Sequence, residues 1–183
     1  MPDKINIDNK YHPSKNYILR GKNALIRSVR IDDAEFILSL RTDKTLTQYL
    51  HQVDDDIDKQ ILFIKNDTKK NYYFISEDLS GNRYGTIRVT NIRENSFTIS
   101  SWLTGKNAPM GLSVTAMLLS YDFGFFNLNK GYNFFNVRKN NISVANFHKI
   151  FGDTIIDEDE QNYYYILHKS EYIKIRDKYK QFL

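Results

Sequence analysis

The chain has 183 residues, which is enough for one domain with a substantial core, and its 41% apolar and 14% aromatic content argues against disorder. Its 26 basic and 22 acidic residues leave a net charge of +4. That mild bias suits a phosphate-bearing small ligand and does not call for nucleic acid. The chain has no cysteine, which excludes disulfides, cysteine-based zinc sites and a cysteine nucleophile. No apolar run approaches membrane-spanning length. The polar start, Met1-Pro2-Asp3-Lys4, lacks the apolar core of a secretory signal, so a cytoplasmic protein with no membrane partner is expected.

Residues 1–16 are polar and read as an arm. Residues 24–29 alternate as a strand. Asp32, with Glu35 three residues on, has the spacing of a capping box for a helix that ends near 41–43. A second helix starts after Asp54-Asp55-Asp56 and carries Ile57, Ile61 and Ile64 at helical spacing. Three strands follow at 72–76, 84–90 and 96–103, joined by short polar turns as an antiparallel meander. Glu77 and Asp78, at the first of these turns, read as solvated.

A polar, basic loop from Gly105 to Gly111 opens onto an apolar helix over 112–126. A helix start offers unpaired N–H groups and a partial positive charge, which suits a pyrophosphate. A strand is expected at 132–137, a helix at 144–151 and a hairpin at 154–157 and 162–167. Ser170 is placed to cap a terminal helix bearing Tyr172, Ile175, Tyr179 and Phe182 on one side.

Several motifs fail. Gly105-Lys106 lacks the Ser or Thr of a P-loop, because Asn107 follows, and Ser100 stands where the first Gly belongs. No G-x-G-x-x-G follows a strand. His12, His51, His148 and His168 are scattered without metal-ligand spacing, so no metal is expected. The aromatic and basic residues at 134–139 and 163–165 could stack bases if exposed, but on alternating strand faces they read as half core.

The order strand, two helices, meander, loop-helix, strand, helix, hairpin resembles the GNAT superfamily of acyl-CoA-dependent N-acyltransferases. The resemblance covers residues 24–167. Ile26-Arg27-Ser28-Val29-Arg30, Asp33-Ala34-Glu35-Phe36-Ile37 and Leu40-Arg41-Thr42-Asp43 look like the branch that holds ribosomal-protein N-terminal and small-molecule acetyltransferases. The resemblance implies an α+β fold, with a mixed, mostly antiparallel central sheet flanked by helices, and a single domain over 1–183.

In that family the pyrophosphate loop reads Q/R-x-x-G-x-G/A. Lys106 falls at the basic position, Pro109 at the first Gly and Gly111 at the second. The resemblance therefore implies coenzyme A held by Lys106 and the amides of Asn107, Met110, Gly111 and Leu112. Pro109 has no N–H to give. Asn141, eleven residues before Gly152, takes the place of the family's Asn beside the coenzyme A arm. His148 stands where the family often has a Tyr that protonates the leaving thiolate; a histidine can be that acid near neutral pH, or a packed residue with no chemical role. The strand over 96–103 is expected to pair with the pantetheine arm as an added strand, which places Ser100, Ser101, Trp102 and Leu103 near the acetyl group. Core packing is the other reading of Trp102, and no general base is assigned.

The implied activity is acetyl transfer from acetyl-CoA to the primary amine of a small molecule. Ser101-Trp102 with Asn146-Phe147-His148-Lys149 looks like branches that act on nucleotide-linked amino sugars of surface polysaccharides. An N-terminal peptide amine and a non-catalytic acyl-CoA or protein-binding domain are the alternatives. A homo-oligomer is left open.

Overall fold

The computed structural model describes residues 15–183. Most of the expected arm, residues 1–14, lies outside the described residues. Strands β1 (Ile18–Arg20) and β2 (Ala24–Ser28) lead into a 3-10 turn over Ile31–Asp33 and helices α1 (Ala34–Thr42), α2 (Lys44–Thr47) and α3 (Ile57–Asp67). The meander is β3 (Tyr72–Asp78), β4 (Arg83–Thr90) and β5 (Ser96–Thr104). Then come α4 (Leu112–Asp122), whose last turn widens to π geometry over Phe123–Asn127, β6 (Tyr132–Arg138) and α5 (Ile142–Phe151). The hairpin β7 (Thr154–Glu158) and β8 (Asn162–His168) precedes α6 (Lys169–Lys178).

The strands form one sheet in the order β1-β2-β3-β4-β5-β6-β8-β7. Every neighbouring pair is antiparallel except β5 and β6, which run parallel. This is the expected α+β architecture. The sequence reading missed β1 and α2, three and four residues long, which are too short for a periodic signal.

Helix α4 packs on one face of the sheet. Its Ala116, Met117, Leu118, Leu119 and Tyr121 are buried together with Ile26, Phe74, Ile87, Val89 and Phe97. Phe123 is fully enclosed, its ring 4.7 Å from Tyr72 and 5.2 Å from Phe74 in edge contacts. Such pairs each add about 0.5–1.5 kcal/mol beyond the burial itself. On the opposite face, α1 and α3 bury Ala34, Ile37 and Ile64 against Tyr73 and Ile75. Helix α5 covers β6 and β8, where Phe135, Val137 and Tyr165 share one face. Phe134, by contrast, is on the exposed face of β6, as strand alternation requires.

Three local expectations are corrected. The reciprocal cap is not Asp32 with Glu35 and lies one turn earlier: in the 3-10 turn before α1, Asp33 Oδ2 accepts the Arg30 N–H at 2.7 Å. Ser170 caps nothing, because α6 starts one residue earlier and His168 is its N-cap. Glu77 is not solvated. It is buried and accepts from Arg27 Nε at 2.7 Å, while Arg27 also holds both oxygens of Asp33 at 2.8 Å. Asp78 is the turn residue, accepting the N–H groups of Ser80 and Asn82 at 2.9 Å each.

Burial alone would raise the Asp33 pKa, but the Arg27, Arg30 and Arg83 bonds together hold it below its usual value. Its stabilising contribution is therefore complete above the unfolded carboxylate range near pH 4 and is lost as pH falls through the lower folded value. Arg27→Met should leave two buried carboxylates short of their cation and cost about 3–5 kcal/mol at pH 7 in urea denaturation. The deficit should shrink as pH falls and Asp33 takes up a proton. A pH-independent deficit would mean that lost packing, not charge, dominates.

Candidate active site

The site is built where the sheet forks. Strands β5 and β6 pair at only two positions, Ser96 with Tyr132 and Phe97 with Asn133, and then separate. Side chains replace the ladder at the fork: Asn133 Oδ1 accepts the Ile99 N–H at 3.4 Å, and Thr98 Oγ1 donates to Phe134 O at 2.7 Å. On its other side β5 carries a bulge. The register with β4 shifts between Thr86, opposite Leu103, and Arg88, opposite Ser100. Ser101, in the bulge, has φ +49°, a conformation uncommon for a residue with a side chain. Bulges free backbone groups from the ladder and re-aim side chains, and strained residues collect at functional sites. Thr86 Oγ1 fixes the bulge by donating to Ser101 O at 3.0 Å.

The loop between β5 and α4 holds most of the expected coenzyme A ligands. Gly111 is the helix N-cap with φ +84°, and an added Cβ would lie 2.7 Å from the Phe182 ring. Glycine is therefore required there on both counts. The Leu112 N–H donates to Pro109 O at 3.1 Å, so among the described residues the amides still open at this helix end include those of Gly111, Ser113 and Val114. Lys106 is exposed and lies 3.6 Å from Asp43, a surface pair that a stronger anion can displace. Met110 is almost fully exposed and Asn107 is also at the surface. Leu103 is buried. Trp102 is half-buried, tilted against Phe147 at 5.0 Å, and its Nε1 finds no partner among the described residues.

Asn141 is the N-cap of α5, its side chain accepting from the Val144 N–H at 3.4 Å. His148 sits on the inner side of that helix, 4% exposed, so it has little contact with bulk water. The rings of Phe135, Phe147 and Tyr165 surround it at 4.4, 5.2 and 5.5 Å. Its Nδ1 is 2.7 Å from Asp153 Oδ2. Gly152, in the left-handed conformation, ends α5 and folds the chain back, with the N–H groups of Gly152 and Asp153 both donating to His148 O at 3.0 Å. Burial raises the Asp153 pKa, and the bond to His148 works against that rise. Asp153 Oδ1 has no partner among the described residues. The neighbouring Tyr121 hydroxyl is pushed well up by burial and then by the Asp153 charge. Asp153 was not singled out in the sequence. The signal was present, since a Gly just past a helix end folds the next residue back onto the last turn.

A pocket of about 580 Å³ opens beside the bulge. Its wall includes Arg41, His51, Tyr73, Arg88, Ser100 and Ser101. Arg88 forms a two-pronged pair with Asp67, lies over the rings of Phe63 and Tyr73, and donates from Nη1 to Ser101 Oγ at 3.4 Å. Tyr73 is pushed up to about 12 by burial, so its hydroxyl keeps its proton. None of these pocket residues except Ser100 and Ser101 was predicted, because α1, α3 and β4 bring them from separate stretches.

Comparison with protein-family models and with curated proteins finds no match. Solved structures do match. Apo FdhC, a nucleotide-linked sugar GNAT, has a TM-score of 0.84 and 33% identity over 92% of this chain and 99% of that one. A GNAT-family acetyltransferase from Bacillus anthracis has a TM-score of 0.72 at 14% identity, over 84% of this chain and 99% of that one. Spermidine N-acetyltransferase from Vibrio cholerae, in complex with CoA and spermine, has a TM-score of 0.71 at 16% identity, over 82% and 98%. The latter two show the fold alone.

Gly111→Ala tests the loop. Left-handed geometry costs a residue with a Cβ about 1–2 kcal/mol, and Phe182 must also shift. The melting temperature should fall by about 2–8 °C, and coenzyme A affinity, measured by calorimetry, should fall with it. An unchanged melting temperature would show that the loop relaxes around the methyl group.

Proposed function

This chain belongs to the GNAT family of N-acetyltransferases, and from that premise we propose that it acetylates the primary amine of a small molecule, with a nucleotide-linked amino sugar as acceptor and acetyl-CoA as donor. The observation that carries the reading is the forked, bulged β5. Its free edge faces the gap toward β6, and the acceptor pocket opens at Ser100 and Ser101. The likeness to apo FdhC favours the nucleotide-linked acceptor.

The residues present fit coenzyme A. Gly111 allows the left-handed turn that opens α4 against Phe182, and the start of α4 offers open amides and a positive dipole end to a pyrophosphate. Lys106, Asn107, Met110 and Gly111 would line that end, with Ser113 and Val114 supplying amides in place of Leu112. Trp102 and Leu103 would flank the arm from β5, and Asn141 from α5. The bound donor supplies a thioester carbonyl, to which the amine forms its new bond as the bond to sulfur breaks.

The chain's own contribution is placement and charge. The pocket holds the amine at the bulge, and alignment of two reactants is worth several kcal/mol of barrier. An N–H freed by the bulge meets the negative charge growing on the carbonyl oxygen. His148 hands a proton to the departing thiolate from Nε2, because Asp153 occupies Nδ1. One observation favours a second reading, a non-catalytic acyl-CoA-binding domain: His148 is enclosed by rings and already bonded to Asp153.

The test is thiol release from acetyl-CoA with a panel of amines that includes amino-sugar nucleotides, spermidine and peptides with free N-termini. Release fastest with an amino-sugar nucleotide is expected. Fastest release with a peptide would replace the acceptor. No release with any amine, despite a thermal shift by acetyl-CoA, would favour the binding domain. With the acceptor in hand, His148→Phe should lower kcat about a hundredfold, and it should also lower the melting temperature, because the buried Asp153 carboxylate loses the bond to His148. A variant with unchanged kcat across pH would remove His148 from the reaction.

A further inference from the structure

The acceptor pocket contains a cation with no carboxylate partner among the described residues. Arg88 is engaged, since Asp67 takes its fork and Phe63 and Tyr73 cover its faces. Arg41, in the last turn of α1, lines the same pocket and is half-buried. It donates from Nη2 to His51 O at 2.7 Å, and among the described residues no carboxylate lies within ion-pair distance of it. The two acids on the rim are already committed. Lys59 Nζ holds Asp54 at 2.5 Å and stands 3.8 Å from Asp56, and Asp56 also accepts the Lys59 N–H as the N-cap of α3. Asp67 belongs to Arg88 and to Asn71.

A guanidinium in this setting is out of balance. It stays charged at any working pH. Burial lowers the Arg41 pKa; Tyr73 beside it acts the other way, and the nearby Arg88 charge acts with burial. A half-buried cation beside a second cation is stabilised by an anion that supplies the missing counter-charge. The four N–H groups not spent on His51 suit two-pronged recognition of a phosphate or carboxylate.

We infer that Arg41, with Arg88 behind it, is an anion subsite of the acceptor pocket, and that the acceptor carries a phosphate or carboxylate close to its reacting amine. The inference rests on the reading of this pocket as the acceptor site. It makes the pocket wrong for a polyamine, whose second ammonium would meet an uncompensated guanidinium. It also assigns the choice of acceptor to the end of α1, far in sequence from the coenzyme A loop.

The experiment is calorimetric titration of the protein with uridine diphosphate and, separately, with glucuronate. Coenzyme A is present at saturation, so that its own diphosphate site is filled. The unsubstituted protein should bind at least one probe, more weakly as salt rises. Arg41→Gln should weaken that binding tenfold or more, and Arg41→Lys should fall between, as a point charge without the fork. Coenzyme A affinity and melting temperature should stay unchanged in both variants. Uridine diphosphate as the binder identifies a phosphate-bearing acceptor, and glucuronate identifies a carboxylate. Binding of neither probe, or equal binding by Arg41→Gln, would overturn the subsite. Should Arg41→Gln fail to fold, Arg41→Lys and the salt series on the unsubstituted protein decide the matter. Because the readout is binding, it stands apart from acetyl transfer: probe binding lost in Arg41→Gln with no thiol release would keep the subsite and discard the proposed reaction.

Discussion

The arrangement depends on the point where β5 and β6 part. A parallel strand pair normally satisfies its main-chain groups continuously, and a buried N–H without a partner costs about 1–3 kcal/mol. Here the ladder stops after two pairs, and the Asn133 and Thr98 side chains take over the first groups released. Asn133 is fully buried, and its Nδ2 has no partner among the described residues. The fork is thus maintained against the tendency of two adjacent strands to close. The bulge at Ser101 interrupts the register with β4 on the other side of β5, and bulges add local twist to the strand that carries them. Without the fork neither the edge of β5 nor the space under α5 would be open.

Charge is organised around this opening with different degrees of balance. On the β2 side, Arg27 faces two buried carboxylates and Arg83 adds a second cation. That cluster is closed, with each group answered by another, and it ties the start of α1 to the sheet. On the β4 side, Asp67 answers Arg88 and leaves Arg41 over. Beneath α5, Asp153 answers His148 with one oxygen and keeps the other unpaired. The two incomplete sets flank the fork, and the complete one stands away from it. A polar network that is fully satisfied specifies structure; one left short has capacity for a ligand or a proton.

The sequence made the frame legible and the pocket much less so. Each long element announced itself by period, and the meander by its polar turns. The errors came from one-residue ambiguities that only packing resolves. Asp32 and Asp33 are adjacent carboxylates ahead of the same helix, and the one that closes the 3-10 turn leading into it is the one Arg27 pulls inward. Glu77 looked like a turn residue because Asp78 beside it is one, yet strand alternation turns Glu77 into the interior. The loop ahead of α4 could be read as one unit because it is contiguous. Arg41, Tyr73 and Arg88 could not be joined in sequence, since nothing local says that α1, β3 and β4 share a wall. His148 was noticed for its position, but its partner Asp153 became visible only once the turn at Gly152 had folded back.

Phe182 rests on Gly111, and its carbonyl accepts the Lys22 N–H at 3.1 Å. Asn23, in the same turn, accepts from Thr115 Oγ1 at 3.0 Å. The start of α4 is therefore clamped between segments from opposite ends of the described chain. A contact of that sequence separation closes a loop nearly as long as the chain, and it forms after the local ones. During synthesis the sheet can assemble from its early strands while this clamp waits for Phe182 to emerge. The start of α4 then reaches its final shape late in folding, so a chain cut before Phe182 would have most of its core before that helix end was set.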